Sequence, residues 1–161
     1  MKTAVVYYSM SGHTEATAKK IAALLGADLI KVEPVKAYPD KGFKKFMWGG
    51  KSALMGDRPK LLPYGFDADK YDTVVIGTPV WAGTFTPPIR TFISENEEAL
   101  RTKRIAAFVC IGGDGAEKAL GKLAKFMQRD GFAAQLGLTD PELQSGDGVD
   151  EKIAAFCEKL K

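Results

Sequence analysis

The residues best suited to chemistry follow the first apolar run of the chain, residues 4–8. They form a hydroxyl loop that consists of Ser9, Met10, Ser11, Gly12, His13 and Thr14. Its three hydroxyls, its glycine and the N–H groups at the start of a predicted helix could together bind a phosphate. Because a helix dipole contributes only about 0.3–1 kcal/mol at an exposed site, the amides and hydroxyls must supply most of the affinity. The alternative interpretation is a serine-rich turn that caps the helix.

Other phosphate-binding motifs do not fit the sequence. A nucleoside-triphosphate loop needs Gly-Lys-Ser/Thr, and the hydroxyl loop contains no lysine. A dinucleotide fingerprint needs three glycines after the first strand, where only Gly12 is present. A Cys-x5-Arg phosphatase loop that began at Cys110 would need arginine where Ala116 stands, and the acidic residues of a phospho-receiver domain are missing. A loop with hydroxyls and no fixed cation suits a single terminal phosphate monoester.

Two further segments follow later predicted strands. The tryptophan segment contains Thr78, Pro79, Val80, Trp81, Ala82, Gly83 and Thr84. Trp81 offers a flat stacking surface, and Gly83 permits unusual backbone angles. The glycine loop contains Gly112, Gly113, Asp114 and Gly115, whose small residues would let N–H groups approach a planar ring. The alternatives are a tryptophan that covers core or surface, and a plain turn capped by Asp114.

An alternation of strands and helices must position these segments. Strands are predicted at residues 3–8, 28–33, 71–77, 104–111 and 132–138. The helices between them repeat apolar residues on one face, one ending at Gly26 and another opening at Pro87, while Asp114 and Glu117 stand in capping-box spacing. Since the first, third and fourth strands are nearly continuous apolar runs, both sheet faces should be covered. The pattern predicts an α/β fold with a doubly wound, five-stranded parallel sheet, in which ligands bind beyond the carboxyl ends of the strands.

Taken together, the three segments resemble the flavodoxins, specifically the short-chain type. The hydroxyl loop is similar to the family's T/S-x-T/S-G-x-T phosphate loop, and residues 78–83 are similar to its tryptophan-bearing loop. The resemblance covers nearly the whole chain except residues 34–65, and it implies the strand order 2-1-3-4-5 and non-covalently bound FMN. It also implies that the hydroxyl loop holds the FMN phosphate, with His13 contributing mainly through its backbone N–H.

The resemblance also assigns the flavin ring. Trp81 would flank one face of the isoalloxazine, the backbone around Ala82 and Gly83 would face the flavin N5, and residues 112–114 would bond the pyrimidine end. The glycine loop lacks the aromatic residue that flavodoxins commonly stack on the ring. The implied function is low-potential electron transfer with a redox partner protein. The alternatives are an FMN-dependent oxidoreductase of the NAD(P)H/quinone type, acting on a small planar acceptor, and a non-redox FMN-binding module. No catalytic residue and no metal ligand is predicted.

Charge distinguishes this chain from the acidic electron carriers that it resembles. The net charge is +3, and residues 34–65 carry seven Lys/Arg against two Asp/Glu, whereas the rest carries sixteen against eighteen. This basic segment predicts either a solvated helix face or a surface that steers an acidic partner through Lys44, Lys45 and Lys51. Phe43, Phe46, Met47 and Leu54 indicate a helix there, which Gly49 and Gly50 would weaken.

Length and composition define the remaining expectations. A chain of 161 residues with 45% hydrophobic and 27% charged residues predicts one globular domain, residues 1–161, with an irregular basic insertion at about 34–65. No apolar run approaches the roughly 20 residues that span a bilayer, and no signal peptide or nucleic-acid motif is recognised. Cys110 and Cys157 lie in apolar runs and predict reduced core thiols. We therefore expect a cytoplasmic monomer or weak dimer that binds neither membrane nor nucleic acid.

Overall fold

The computed structural model describes residues 2–39 and 42–161, with the backbone alone for residues 42–47 and 141. Its strands are β1 (Thr3–Tyr7), β2 (Asp28–Lys31), β3 (Thr73–Trp81), β4 (Thr84–Phe85), β5 (Arg104–Ile111) and β6 (Gln135–Thr139). Five of them form a parallel sheet in the order β2-β1-β3-β5-β6, and β4 pairs antiparallel with the end of β3. Because β4 is a two-residue addition, the order of the five predicted strands is 2-1-3-4-5, as expected.

Helices cover both faces of this sheet. They are α1 (His13–Leu25), α2 (Gly42–Leu54), α3 (Pro87–Glu95), α4 (Glu97–Arg101), α5 (Ala116–Phe126), α6 (Asp140–Ser145) and α7 (Val149–Glu158), with a short 3₁₀ helix at Ala68–Lys70. Successive residues of β1 point to opposite faces, so Val5 packs with α1 and α7 while Val6 packs with α3 and α5. Both faces are therefore apolar, and the predicted doubly wound architecture is confirmed. None of the helices in the described part of the chain is long and apolar enough to cross a membrane.

The two cysteines and two helix boundaries agree with the sequence prediction. Cys110 and Cys157 are buried and free. Gly26 ends α1 in the left-handed conformation, with φ of 60°, and its N–H donates to the Ala22 carbonyl. Pro87 is the first residue of α3. The two helix boundaries depend on local sequence alone.

Several predicted strand boundaries and one predicted cap are wrong. The second strand ends at Lys31 rather than residue 33, and the third begins at Thr73 rather than residue 71. The third strand runs past Gly77 to Trp81, so most of the tryptophan segment is strand rather than loop. Gly115, with φ of 105° and no side-chain cap, precedes α5, so Asp114 does not form the predicted capping box. The last strand begins at Gln135 instead of residue 132.

The basic segment is more regular than predicted. Its base is closed by an antiparallel bridge between Pro34 and Leu61, and α2 continues through Gly49 without a break. A Cβ atom at Gly49 would lie only 3.1 Å from Cε3 of Trp81. Glycine at this position therefore lets α2 approach Trp81. The resulting packing offsets the low helix propensity of glycine. Leu54 is 71% exposed, and the side chains of Phe43, Phe46 and Met47 lie outside the described residues.

We expect the Gly77→Ala variant to lose about 1–3 kcal/mol of unfolding free energy, the usual cost of overpacking a core. A Cβ atom there would overlap the ring of Phe108, which is fully buried and cannot move into solvent. Urea denaturation measures the change. The matched control is Gly121→Ala on the exposed side of α5, where no heavy atom lies within 4 Å of the added carbon, and which we expect to be neutral or slightly stabilising. Equal midpoints for the Gly77→Ala variant and the parent would contradict this packing.

Candidate functional site

The three segments singled out in the sequence meet at the carboxyl edge of the sheet. The Tyr8 N–H donates to the Gly77 carbonyl at 3.2 Å, and the rings of Tyr8 and Trp81 have centroids 5.6 Å apart. At the other end of the edge, the Asp140 carboxylate lies 3.4 Å from Nδ1 of His13 and would lie 3.7 Å from a Cβ atom at Gly112. Tyr8, Trp81 and Asp140 therefore connect the hydroxyl loop, the tryptophan segment and the glycine loop.

The hydroxyl loop presents N–H groups that have no internal acceptor. The Ser9 hydroxyl oxygen accepts hydrogen bonds from the N–H groups of Gly12 and Glu15, each at 3.2 Å, and this fixes the turn into α1. Within the described residues, the N–H groups of Ser11, His13 and Thr14 donate no hydrogen bond. These donors lie at a helix N-terminus, the arrangement that binds phosphate groups.

The hydroxyls of the loop differ in exposure. Ser11 is exposed, Ser9 is half-buried, and Thr14 is 2% exposed. Thr14 lies over Cys110, whose thiol pKa is raised to about 11 by burial, while hydrogen bonds from Thr14 and Thr17 act in the opposite direction. Cys110 is thus a protonated core thiol at neutral pH. The hydroxyls of Ser9, Ser11 and Thr14 are therefore the side-chain groups that could bind a phosphate here.

Trp81 is a fixed aromatic surface rather than a mobile loop residue. Tyr8 and Tyr38 both meet its ring edge-on, the second at a centroid distance of 5.1 Å. Gly49 of α2 packs against its six-membered ring, and the indole remains half-buried. The Tyr38 hydroxyl is itself hydrogen-bonded to Ser52 at 3.1 Å. Contacts from Tyr8, Tyr38 and Gly49 therefore hold the indole plane in one orientation.

The other residues of the tryptophan segment have different roles. Thr78 is fully buried, and its hydroxyl accepts the Thr86 N–H at 3.1 Å, so it joins β3 to the start of α3 instead of facing the edge. Pro79 and Val80 are half-buried, Pro79 in register with Cys110 of β5 and Val80 opposite Phe85 of β4.

Ala82 and Gly83 form the two-residue turn between β3 and β4. Their φ angles are 51° and 77°, as a type I′ hairpin turn requires, and both residues are exposed. This turn presents its backbone to solvent at the same edge as the indole.

The glycine loop provides the second set of unused donors. Gly112, Gly113 and Asp114 are exposed, and their N–H groups donate no hydrogen bond within the described residues. The Asp114 carboxylate likewise has no hydrogen bond or ion pair among those residues. The loop can therefore bind a polar ring edge through its backbone, without a side chain in the way.

Two charged residues of the site were not predicted from the sequence. Asp140 directly follows β6 at the carboxyl edge, and that position is the signal that could have identified it. Lys122 of α5 places Nζ 3.7 Å from a Cβ atom built at Gly83. Its only sequence signal is a position two turns into the helix that follows the glycine loop. One negative and one positive side chain therefore flank the edge.

The chain is similar in sequence and in fold to known proteins. Residues 2–152 match the family model described as flavodoxin. A flavoprotein from Lactobacillus acidophilus NCFM, solved in complex with FMN, is similar at 23% identity over 89% of this chain and 97% of that chain, with a TM-score of 0.73. A flavodoxin from the domain Archaea is similar at 20% identity over 99% of both chains, with a TM-score of 0.57. Rubredoxin oxygen:oxidoreductase from Desulfovibrio gigas is similar at 16% identity, with a TM-score of 0.54. The similarity covers 99% of this chain and 37% of that chain.

Proposed function

This chain belongs to the flavodoxin family, and from that premise we propose that its carboxyl edge binds FMN non-covalently and serves low-potential electron transfer with a redox partner. One observation carries the proposal. Two sets of unbonded N–H groups, in the hydroxyl loop and in the glycine loop, lie at the sheet edge that also holds a rigid indole. A phosphate needs the first set, and a polar, planar ring needs the second set and the indole.

The residues present fit FMN at each of its parts. The hydroxyls of Ser9, Ser11 and Thr14 and the free loop amides would hold the phosphate, because a Ser9 oxygen that accepts two N–H groups can still donate its own proton. Trp81 would flank the ring, with the turn at Ala82 and Gly83 toward N5. Gly112, Gly113 and Asp114 would bond the pyrimidine end. The bound flavin supplies the redox chemistry, while the protein supplies binding, orientation and charge.

The surface charge supports an acidic redox partner. Lys51 and Lys60 of the basic segment are exposed, whereas the side chains of Lys44 and Lys45 lie outside the described residues. Exposed cations beyond about 8 Å from a reacting group are screened at physiological salt, so those nearest the flavin would steer the partner. We further propose that the chain acts as one domain, as a monomer or weak dimer. The two buried free thiols support a reducing, cytoplasmic location.

Anaerobic reduction of the FMN-loaded protein tests the carrier function. We expect the absorbance to change in two separate one-electron steps, with no turnover of NADH or NADPH, because the chain carries no nicotinamide-binding fingerprint. Reduction by NAD(P)H in one two-electron step, followed by oxidation with a soluble quinone, would contradict the carrier function and support the oxidoreductase alternative.

Asp140 provides a prediction about phosphate affinity. Its carboxylate lies next to the hydroxyl loop and would repel a phosphate, so we expect Asp140→Asn to lower the Kd of FMN roughly fivefold at low salt, about 1 kcal/mol. The gain should shrink as salt is added, and riboflavin, which lacks the phosphate, should bind unchanged. The control is Asp130→Asn, an exposed carboxyl on the connection between α5 and β6. Weaker FMN binding by Asp140→Asn would show that this carboxylate supports the loop through His13 instead.

A further inference from the structure

A cavity of about 630 Å³ lies beside the cofactor edge, between the segment that follows β2 and the C-terminal end of α2. Its lining includes Lys36, Tyr38, Trp48, Ser52, Asp57 and Arg58. A neighbouring cavity of about 350 Å³ borders Ser9 and Met10 of the hydroxyl loop and shares the wall formed by Ala37 and Tyr38. The larger cavity contains no residue assigned to FMN, and its volume is typical of sites for small molecules.

The walls of this cavity are aromatic, and one of them is rigid. Tyr38 is held by its edge-on contact with Trp81 and by its hydrogen bond to Ser52. Trp48 is 60% exposed, so a large part of its indole is uncovered by protein. Two aromatic side chains that border one cavity favour a planar aromatic ligand, which both can contact over a wide area.

The charges at the cavity favour an anion. Among the described lining residues, Lys36 and Arg58 outnumber the one acid, Asp57, and neither cation forms an ion pair with a described residue. The Arg58 guanidinium also lies 5.8 Å from the centroid of the Phe126 ring, and the Arg90 guanidinium lies 4.5 Å from the same centroid. Burial, and after it the charge of Arg58, lowers the pKa of Arg90. This local excess of positive charge can accept one negative group.

We propose that this cavity binds a small planar aromatic compound with one acidic group, a carboxylate or sulfonate, as a second ligand separate from FMN. The ring would lie against Trp48 and Tyr38, and the acidic group would meet Arg58 and Lys36. Binding does not require the flavin, so this inference stands apart from the proposed function. Because Tyr38 also contacts Trp81, the occupied cavity would lie directly behind the aromatic surface of the cofactor edge.

The test uses 2-naphthoate as probe, titrated calorimetrically into the full chain with and without FMN. We expect one site with a Kd of roughly 10–100 μM, the same with and without flavin, and at least about tenfold weaker binding of 2-naphthylmethanol, which lacks the charge. Arg58→Gln and Trp48→Ala should each weaken 2-naphthoate binding about tenfold or more. Arg101→Gln, which changes an arginine paired with Glu97 on α4, should leave it unchanged.

Several results would overturn the inference. They are no heat of binding at about 1 mM probe, equal affinity for the neutral alcohol, or variants of Arg58 and Trp48 that bind like the parent. Displacement of the probe by one equivalent of FMN would assign the cavity to the cofactor and end the claim of a second site. Since Trp48 and Arg58 are exposed, their variants should keep the parent's thermal unfolding curve, so that lost binding reports on the cavity.

Discussion

The Ser11→Ala, Thr14→Ala double variant should bind FMN at least about a hundredfold more weakly than the parent. Each hydroxyl would donate to a charged phosphate, and such a hydrogen bond contributes roughly 1.5–3 kcal/mol. Thr14 is buried at the first turn of α1, and its hydroxyl is close enough to the Cys110 thiol to hydrogen-bond with it. Fluorescence titration of FMN measures the change.

Riboflavin is the internal control for this variant. Because it lacks the phosphate, its affinity should stay within about twofold of the parent's. Removal of two hydroxyls elsewhere, by Ser94→Ala and Thr102→Ala on the α3–α4 side, should change neither ligand's affinity. If FMN and riboflavin weaken together in the Ser11/Thr14 variant, the hydroxyl loop acts on the fold or the ring rather than on the phosphate.

The Trp81→Ala variant should show the complementary pattern. Stacking of a planar heterocycle on an aromatic side chain contributes roughly 1–3 kcal/mol, so FMN and riboflavin should both lose about tenfold to a hundredfold in affinity. Trp81→Phe, which keeps an aromatic plane between Tyr8 and Tyr38, should recover most of the loss. Equal flavin binding by the alanine variant would show that the indole only fills space under α2.

The sequence predicts best what depends on neighbouring residues. The apolar runs of β1 and β5 and the glycine that ends α1 are local features, and all were confirmed. The strand order came from the resemblance to flavodoxins, since apolar patterning alone does not order parallel strands. The hydroxyl loop was also recognisable, because its residue types and its position after β1 lie within six consecutive residues.

Contacts between distant segments explain what the sequence missed. The third strand was predicted to end at residue 77, but pairing with β5 and β4 carries β3 on to Trp81. The contact of His13 with Asp140 joins residues 127 positions apart, so no local pattern reveals it. Gly49 was predicted to weaken α2 because glycine has a low helix propensity. The structure shows that the lack of a side chain at Gly49 lets α2 pack against the indole of Trp81. For β3 and for Gly49, a tertiary contact outweighs the local preference.

The most direct test of the account is which flavin the protein retains. Protein saturated separately with FMN and with FAD should pass through gel filtration with one equivalent of FMN bound and little FAD, because the edge offers donors for a single phosphate at the hydroxyl loop. Flavin released by denaturation should be identified as FMN. Retention of FAD in preference to FMN, or loss of all flavin on the column, would contradict the assignment of this edge as an FMN site.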